Sequence, residues 1–90
     1  MPTPNLTPRA LDFIQRMQAK HARQVLLKIL ALCRDPDPSD SIALKASSEG
    51  YRRADSGEYR VIYRVEGDTL EVHLVGKRND DEVYRRFGRR

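Results

Sequence analysis

The sequence has no tryptophan, a single cysteine, and no apolar run approaching the length of a membrane span. One thiol cannot build an intramolecular disulfide framework or a multi-thiolate metal site. Cys33 falls inside an apolar helical pattern, where a buried and inert thiol is expected, and a reducing cytoplasm is the compartment that fits. A bilayer needs about 20 consecutive apolar residues, and Met1-Pro2-Thr3-Pro4 carries neither the basic start nor the apolar segment of a secretory signal. Aromatic residues are 7% and all apolar residues 39% of 90 positions. That supports one modest core, a single domain over residues 1–90, and no deeply enclosed cofactor pocket. A phosphate-binding glycine loop, a paired-histidine zinc motif and a Gly-x-Ser-x-Gly elbow are all missing, so neither cofactor nor metal is expected.

What the chain has in excess is positive charge. Seventeen Lys and Arg stand against 13 Asp and Glu, a formal charge of +4 and a pI near 9.6. In so short a chain this favours a polyanionic partner.

Two helices are predicted first. Thr7-Pro8 is a cap residue followed by proline at the first helical position, and Leu11, Ile14 and Met17 then recur at helical spacing. A second stripe runs through Ala22, Val25, Leu26, Ile29, Leu30 and Cys33 and ends near Arg34. The short break at Gln18 to His21 makes the pair a helical hairpin. Pro2 and Pro4 allow at most a short edge strand before it, or none. Asp35 to Gly50 reads as a loop with an apolar insert, Ile42-Ala43-Leu44.

From Tyr51 the period becomes two. Tyr59, Val61, Tyr63 and Val65 alternate with Arg60, Ile62 and Arg64, while Leu70, Val72 and Leu74 alternate with Glu71, His73 and Val75. Turn chemistry at Ser56-Gly57 and Glu66-Gly67-Asp68 makes Tyr51 to Val75 a three-stranded antiparallel meander. The fold class is therefore α+β: an N-terminal helical hairpin packed on one face of a small antiparallel sheet, with a short helix over Asp80 to Phe87. Strict alternation leaves Arg60, Ile62, Arg64 and His73 on the uncovered face.

A basic stripe of Arg52, Arg53, Arg60, Arg64, Lys77, Arg78, Arg85 and Arg86 interleaves with Tyr51, Tyr59, Tyr63, Tyr84 and Phe87. Guanidinium groups grip phosphates and exposed rings stack on unpaired bases, a combination suited to single-stranded RNA. Taken singly, Tyr59 and Tyr63 are expected in the core, and His73 is expected to be a strand residue rather than a proton shuttle.

Gly50-Tyr51-Arg52-Arg53, Gly57-Glu58-Tyr59-Arg60-Val61-Ile62-Tyr63 and Gly76-Lys77-Arg78 through Glu82-Val83-Tyr84-Arg85 together resemble the RelE/ParE superfamily of toxins of type II toxin-antitoxin systems. The resemblance follows the order of elements along the whole chain, with its specific motifs between Tyr51 and Arg85. It implies the RelE-like fold. It also implies one of two activities, ribosome-dependent mRNA cleavage in the RelE branch or gyrase inhibition without RNase activity in the ParE branch. Arg78 followed six residues later by Tyr84 matches the RelE branch in identity and spacing.

Carried over, Arg60 is the strand arginine that holds phosphate, Arg78 the arginine for transition-state charge or leaving-group protonation, and Tyr84 the tyrosine that orients substrate. Arg52, Arg53, Lys77 and Arg85 are implied RNA contacts. The resemblance implies metal-independent attack by the substrate's own 2′-OH. Where the RelE prototype has two lysines, this chain has Tyr51-Arg52-Arg53, and arginine is a poor general base. Lys45, His73 and Lys77 are then the candidate bases, or the ribosome supplies the group. The implied partners are a cognate antitoxin with an acidic segment and a ribosome holding mRNA in its decoding site. No membrane is implied, and no direct DNA binding without antitoxin. The alternatives are a ParE-like gyrase inhibitor and a catalytically weak toxin acting mainly as antitoxin corepressor.

Overall fold

The computed structural model describes residues 1–44 and 49–79. The order is β1 (Thr3–Leu6), α1 (Pro8–Gln15), α2 (Ala19–Arg34), β2 (Ile42–Ala43), β3 (Arg52–Ser56), β4 (Tyr59–Glu66) and β5 (Thr69–Lys77). Both helices cover one face of a five-stranded sheet ordered β1-β5-β4-β3-β2. Among the described residues no helix is long and apolar enough to cross a membrane.

The meander forms as the alternation predicts, with β3, β4 and β5 antiparallel. Gly57 and Gly67 have φ of +58° and +59°, the conformation that places glycine first in a two-residue hairpin turn. The sheet as a whole is mixed rather than antiparallel, because β1 forms and lies parallel to β5. Its prolines are tolerated by alternation. The N–H groups of Thr3 and Thr7 donate to Asp68 O at 2.7 Å and Val72 O at 3.1 Å, while Pro4, which has no N–H, sits between them on the outer side of an edge strand. Ile42-Ala43, read as part of a loop, adds the opposite edge against Arg53 and Arg52. The helix expected over Asp80 to Phe87 lies outside the described residues.

α1 starts as its sequence dictates: the Thr7 hydroxyl accepts from Ala10 N at 3.2 Å, with Pro8 in the first turn. The inward stripes differ in detail from the periodic reading. Ala10 and Ile14 are buried on α1 and Val25, Ile29, Leu32 and Cys33 on α2, whereas Leu11, Leu26 and Leu30 face outward. α2 carries leucines on most of its circumference, so periodicity alone admits more than one inward face; the sheet selects one. The chosen stripe meets Ala54, Val61, Tyr63, Leu70, Val72 and Val75, and each such large side chain contributes roughly 1.5–3 kcal/mol by leaving water.

One departure from alternation has large consequences. In β5, Val61 pairs with Val75 and Ile62 with Leu74, but Tyr63 pairs with Val72, so His73 is an extra residue with no opposite number. This β-bulge reverses the facing of everything after it. Leu74, expected inward, lies in a separate cluster with Tyr51 and Ile62 on the uncovered face, and Val75, expected outward, enters the main core. The bulge is held from outside the sheet, because the Thr7 hydroxyl that caps α1 donates to His73 O at 2.7 Å.

Tyr63 and Arg52 fasten the loop before β2. The Tyr63 hydroxyl donates to Pro36 O and is hydrogen-bonded to Ser41 Oγ, both at 2.6 Å. Arg52 reaches Ser41 Oγ at 2.9 Å, Ser41 O at 3.1 Å and the Asp37 carboxylate at 3.1 Å. Replacing Tyr63 with Phe is expected to lower unfolding free energy by about 1–3 kcal/mol, read as a reduced urea midpoint at constant slope. Burial raises the Cys33 thiol above its ordinary range, so iodoacetamide should label Cys33 in unfolding denaturant and leave the native protein unmodified.

Candidate phosphate-binding face

The face of the sheet opposite the helices carries Tyr51 just before β3, Arg53 and Asp55 from β3, Arg60, Ile62 and Arg64 from β4, and Glu71, His73, Leu74 and Gly76 from β5. Its middle is an apolar floor of Tyr51, Ile62 and Leu74, with Leu44 packed against it. On either side of the floor lies a polar group of different character.

At one end Asp55 and Arg60 are direct cross-strand partners. Arg60 Nε donates to Asp55 Oδ1 at 2.7 Å and Nη2 to Oδ2 at 3.3 Å, a two-point fork that fixes the guanidinium plane. Only 13% of the Arg60 side chain is exposed, so the pair is held within the sheet surface and not at a flexible tip. Arg53 lies two residues along β3 on the same face, about 7 Å away by strand geometry. Arg78 follows β5, and its N–H extends the ladder to Glu58 O at 2.9 Å. The hydrogen bond from Arg60 holds the Asp55 carboxyl below its usual range, reinforced by the charges of Arg60, Arg53 and Arg78, while partial burial works against them. Arg60 thus grips the carboxylate directly, with the charges of Arg53 and Arg78 near enough to act on it.

At the other end Arg64 is committed to carboxylates. It lies 2.9 Å from Glu66, 3.5 Å from Glu49 and 3.6 Å from Glu71, with its guanidinium 4.9 Å above the Tyr51 ring centroid. The Tyr51 hydroxyl donates to Glu71 at 3.2 Å. His73 stacks at 5.3 Å on Tyr51, with Nδ1 3.7 Å from Glu71 and Nε2 buried. This end is locally neutralised and tightly packed.

The structure brings Arg53, Arg60 and Arg78 of the expected site together. Arg52 is on the helix side, fastening the 36–41 loop. Lys77 is also on the helix side as the partner of Tyr59, and lines a recess of about 480 Å³ with Phe13, Met17 and His21. Lys45, Tyr84 and Arg85 lie outside the described residues. Stacking on bases is not offered by the described tyrosines: Tyr51 and Tyr63 are buried, and Tyr59 packs edge-on to Phe13. Asp55 is the residue that the sequence reading passed over. Its signal was its place one strand position from the Ser56-Gly57 turn, which sets it opposite Arg60 in any two-residue hairpin. No cluster of three or more His, Cys, Asp or Glu suited to a metal ion occurs among the described residues.

Residues 5–82 match the family described as the ParE toxin of type II toxin-antitoxin system, parDE. No curated protein sequence matches the chain. Solved structures of similar fold include the following three. The isolated E. coli RelE toxin aligns with a TM-score of 0.75 and 20% identity over 99% of this chain and 97% of that one. The archaeal RelE-RelB complex from Pyrococcus horikoshii OT3 aligns at 0.74 and 24% over 86% and 94%. The toxin-antitoxin complex RelBE2 from Mycobacterium tuberculosis aligns at 0.74 and 22% over 86% and 98%.

The lowered pKa of Asp55 has a definite sign. Its interaction with Arg60 contributes stability that is fully present above the unfolded carboxyl value of about 3.9 and is lost as pH falls through the lower folded value. Urea midpoints measured from pH 5 down to pH 2 should therefore fall more gently for Asp55→Asn than for the wild type.

Proposed function

Since the chain belongs to the ParE toxin family of type II toxin-antitoxin systems, we propose that it is the toxin of such a pair and that it stops translation by cutting mRNA on the ribosome. The observation that carries this reading is the convergence of Arg53, Arg60 and Arg78 at Asp55 on a sheet face the helices leave open. Such a surface suits a reaction whose main demands are in-line positioning of a phosphodiester and stabilisation of a crowded anionic phosphorane.

In this reading the substrate's 2′-OH attacks the adjacent phosphorus. The O2′–P bond forms as the P–O5′ bond breaks, the 2′-OH proton passes to a base, and the 5′ oxygen takes up a proton as it leaves. The products are a 2′,3′-cyclic phosphate and a free 5′-OH. Arg60, fixed by Asp55, binds the reacting phosphate, Arg53 meets an adjoining one, and Arg78 supports developing charge or protonates the leaving oxygen. Tyr84 orients the substrate and Arg85 adds a backbone contact. Arg52 and Lys77 belong to the helix side and are excluded from that set.

The proton acceptor is the weakest part of the machinery. Asp55 is held too acidic and is occupied by Arg60. His73 presents a buried Nε2, and Lys77 is in the helix-side recess. Lys45 or a group of the ribosome then accepts the proton. Little cleavage of naked RNA follows from this arrangement, with activity emerging when the decoding site presents strained mRNA. The partner that restrains the toxin is an antitoxin whose acidic segment masks the arginine face, as the charge of +4 favours. Solved relatives of similar fold were crystallised with their antitoxins.

The family description names ParE, the branch for which the resemblance implies a second reading, gyrase inhibition by the same basic surface without RNA cleavage. The two separate experimentally. After induction without antitoxin, new mRNA 5′ ends should fall at reading-frame-phased positions within translated regions, and Arg78→Ala and Arg60→Ala should each reduce them at least about a hundredfold, the scale of losing one charge-stabilising donor. Growth arrest with induction of the DNA-damage response and no phased cuts would instead establish gyrase as the target.

A further inference from the structure

The Asp55 carboxylate stands where a site for polyanions has least use for one. It is on the open face among Arg53, Arg60 and Arg78, with 35% of its side chain exposed. It is not a remnant of core packing, since its neighbours along β3 on the helix side, Ala54 and Ser56, meet the core and Gln24 O instead. We propose that Asp55 is a positioning and specificity-determining residue: by holding Arg60 in a two-point fork it aims the guanidinium at a single phosphate, and by its charge it weakens indiscriminate attachment of the arginine face to RNA backbone. The inference rests on the RNA-cleaving reading above for the identity of the ligand.

Both halves follow from the geometry. An arginine has several rotatable bonds, and an unrestrained guanidinium would meet a phosphate in many poses. Nε at 2.7 Å and Nη2 at 3.3 Å on the two oxygens of one carboxylate leave one plane and one direction. The anchor is itself rigid, because Asp55 and Arg60 are opposite residues one pair in from a two-residue turn, so their separation is set by the backbone ladder. The carboxylate also lowers the positive potential that the cluster presents to any approaching phosphate. It thereby lowers non-specific affinity, which for nucleic acids comes almost entirely from unpaired cations. A toxin that must find mRNA inside a ribosome gains from not adhering to every exposed RNA.

The two effects predict opposite movements of binding and rate, which loss of fold would not produce. The full chain and its Asp55→Asn variant are compared for affinity to a single-stranded 10-nucleotide RNA by fluorescence anisotropy across salt, and for kcat and KM on ribosomes programmed with mRNA. Asp55→Asn should bind the oligonucleotide about three- to tenfold more tightly at low salt. Its log–log salt dependence should steepen by about 0.7, one more uncompensated cation. On ribosomes its kcat should fall at least about tenfold while KM stays level or drops. Asp55→Glu, which keeps the charge and displaces it by one methylene, should restore wild-type affinity and only part of the rate.

Equal affinity and salt slope for wild type and Asp55→Asn would overturn the specificity role, and an unchanged kcat would overturn the positioning role. If Asp55→Asn does not fold, Asp55→Glu decides through its kcat at unchanged affinity, and a wild-type kcat there overturns positioning. A wild-type chain that cuts nothing on programmed ribosomes overturns the proposed function. The Asp55 assignment then stands or falls on the affinity and the salt slope.

Discussion

The arrangement of this protein hangs on one extra residue in its last strand. Without the bulge at His73, the alternation begun by Leu70 and Val72 would carry Leu74, Gly76 and Arg78 to the helix side. With it, Val75 completes the core beneath the helices, Leu74 becomes part of the apolar floor, and Arg78 continues on the face that holds Arg60 and Asp55. A bulge leaves one residue without a ladder partner and so needs support from elsewhere. Thr7 supplies it, joining the start of α1, the end of β1 and the bulge through a single hydroxyl that accepts from Ala10 N and donates to His73 O. The N-terminal segment thus braces the bulge that sets which side of the sheet Arg78 faces.

The two faces of the sheet are stabilised by different means. On the helix side the core is apolar and its one buried phenol is satisfied twice, so Tyr63 adds both volume and a fastening for the loop that leads into β2. On the open side the sheltered apolar side chains among the described residues are Tyr51, Ile62 and Leu74, and charge balanced against charge lies around them. The balance is uneven by position. Arg64 is surrounded by Glu49, Glu66 and Glu71, whereas the three arginines at the other end share Asp55. Surface ion pairs stabilise a fold only slightly. Their larger effect here is to concentrate the uncompensated positive potential at the end of the sheet where Arg78 enters the tail.

This distribution explains why a raw inventory of basic and aromatic residues overstated the site. Of the arginines and lysines between Tyr51 and Arg78, Arg52 and Lys77 have even-handed sequence credentials and yet belong to the helix side, and Arg64 is neutralised. Among the described residues, the tyrosines that suggested base stacking are structural: Tyr63 and Tyr51 are buried and Tyr59 packs on Phe13 and His21. Strand parity could be read from the sequence for β4, and it placed Arg60 and Ile62 correctly. In β5 it held through His73 and failed from Leu74 onward, since Val72-His73-Leu74-Val75 contains nothing that marks an insertion.

The sequence by itself determined the local elements and their order: a Thr-Pro start for α1, leucine-rich helical spacing for α2, glycine at both hairpin turns, period two from Tyr51 onward, and a basic surplus, because each of these depends on neighbours within a few residues. Tertiary structure alone decided what depends on distant partners. It paired β1 with β5 despite two prolines, since only the outward N–H positions are proline. It chose which stripe of α2 turned inward, since several were apolar enough and the sheet accepts one. And through the contact of Thr7 with His73, 66 residues apart, it set the parity of β5 and brought Arg78 to Arg60, a consequence no periodicity within one strand can encode.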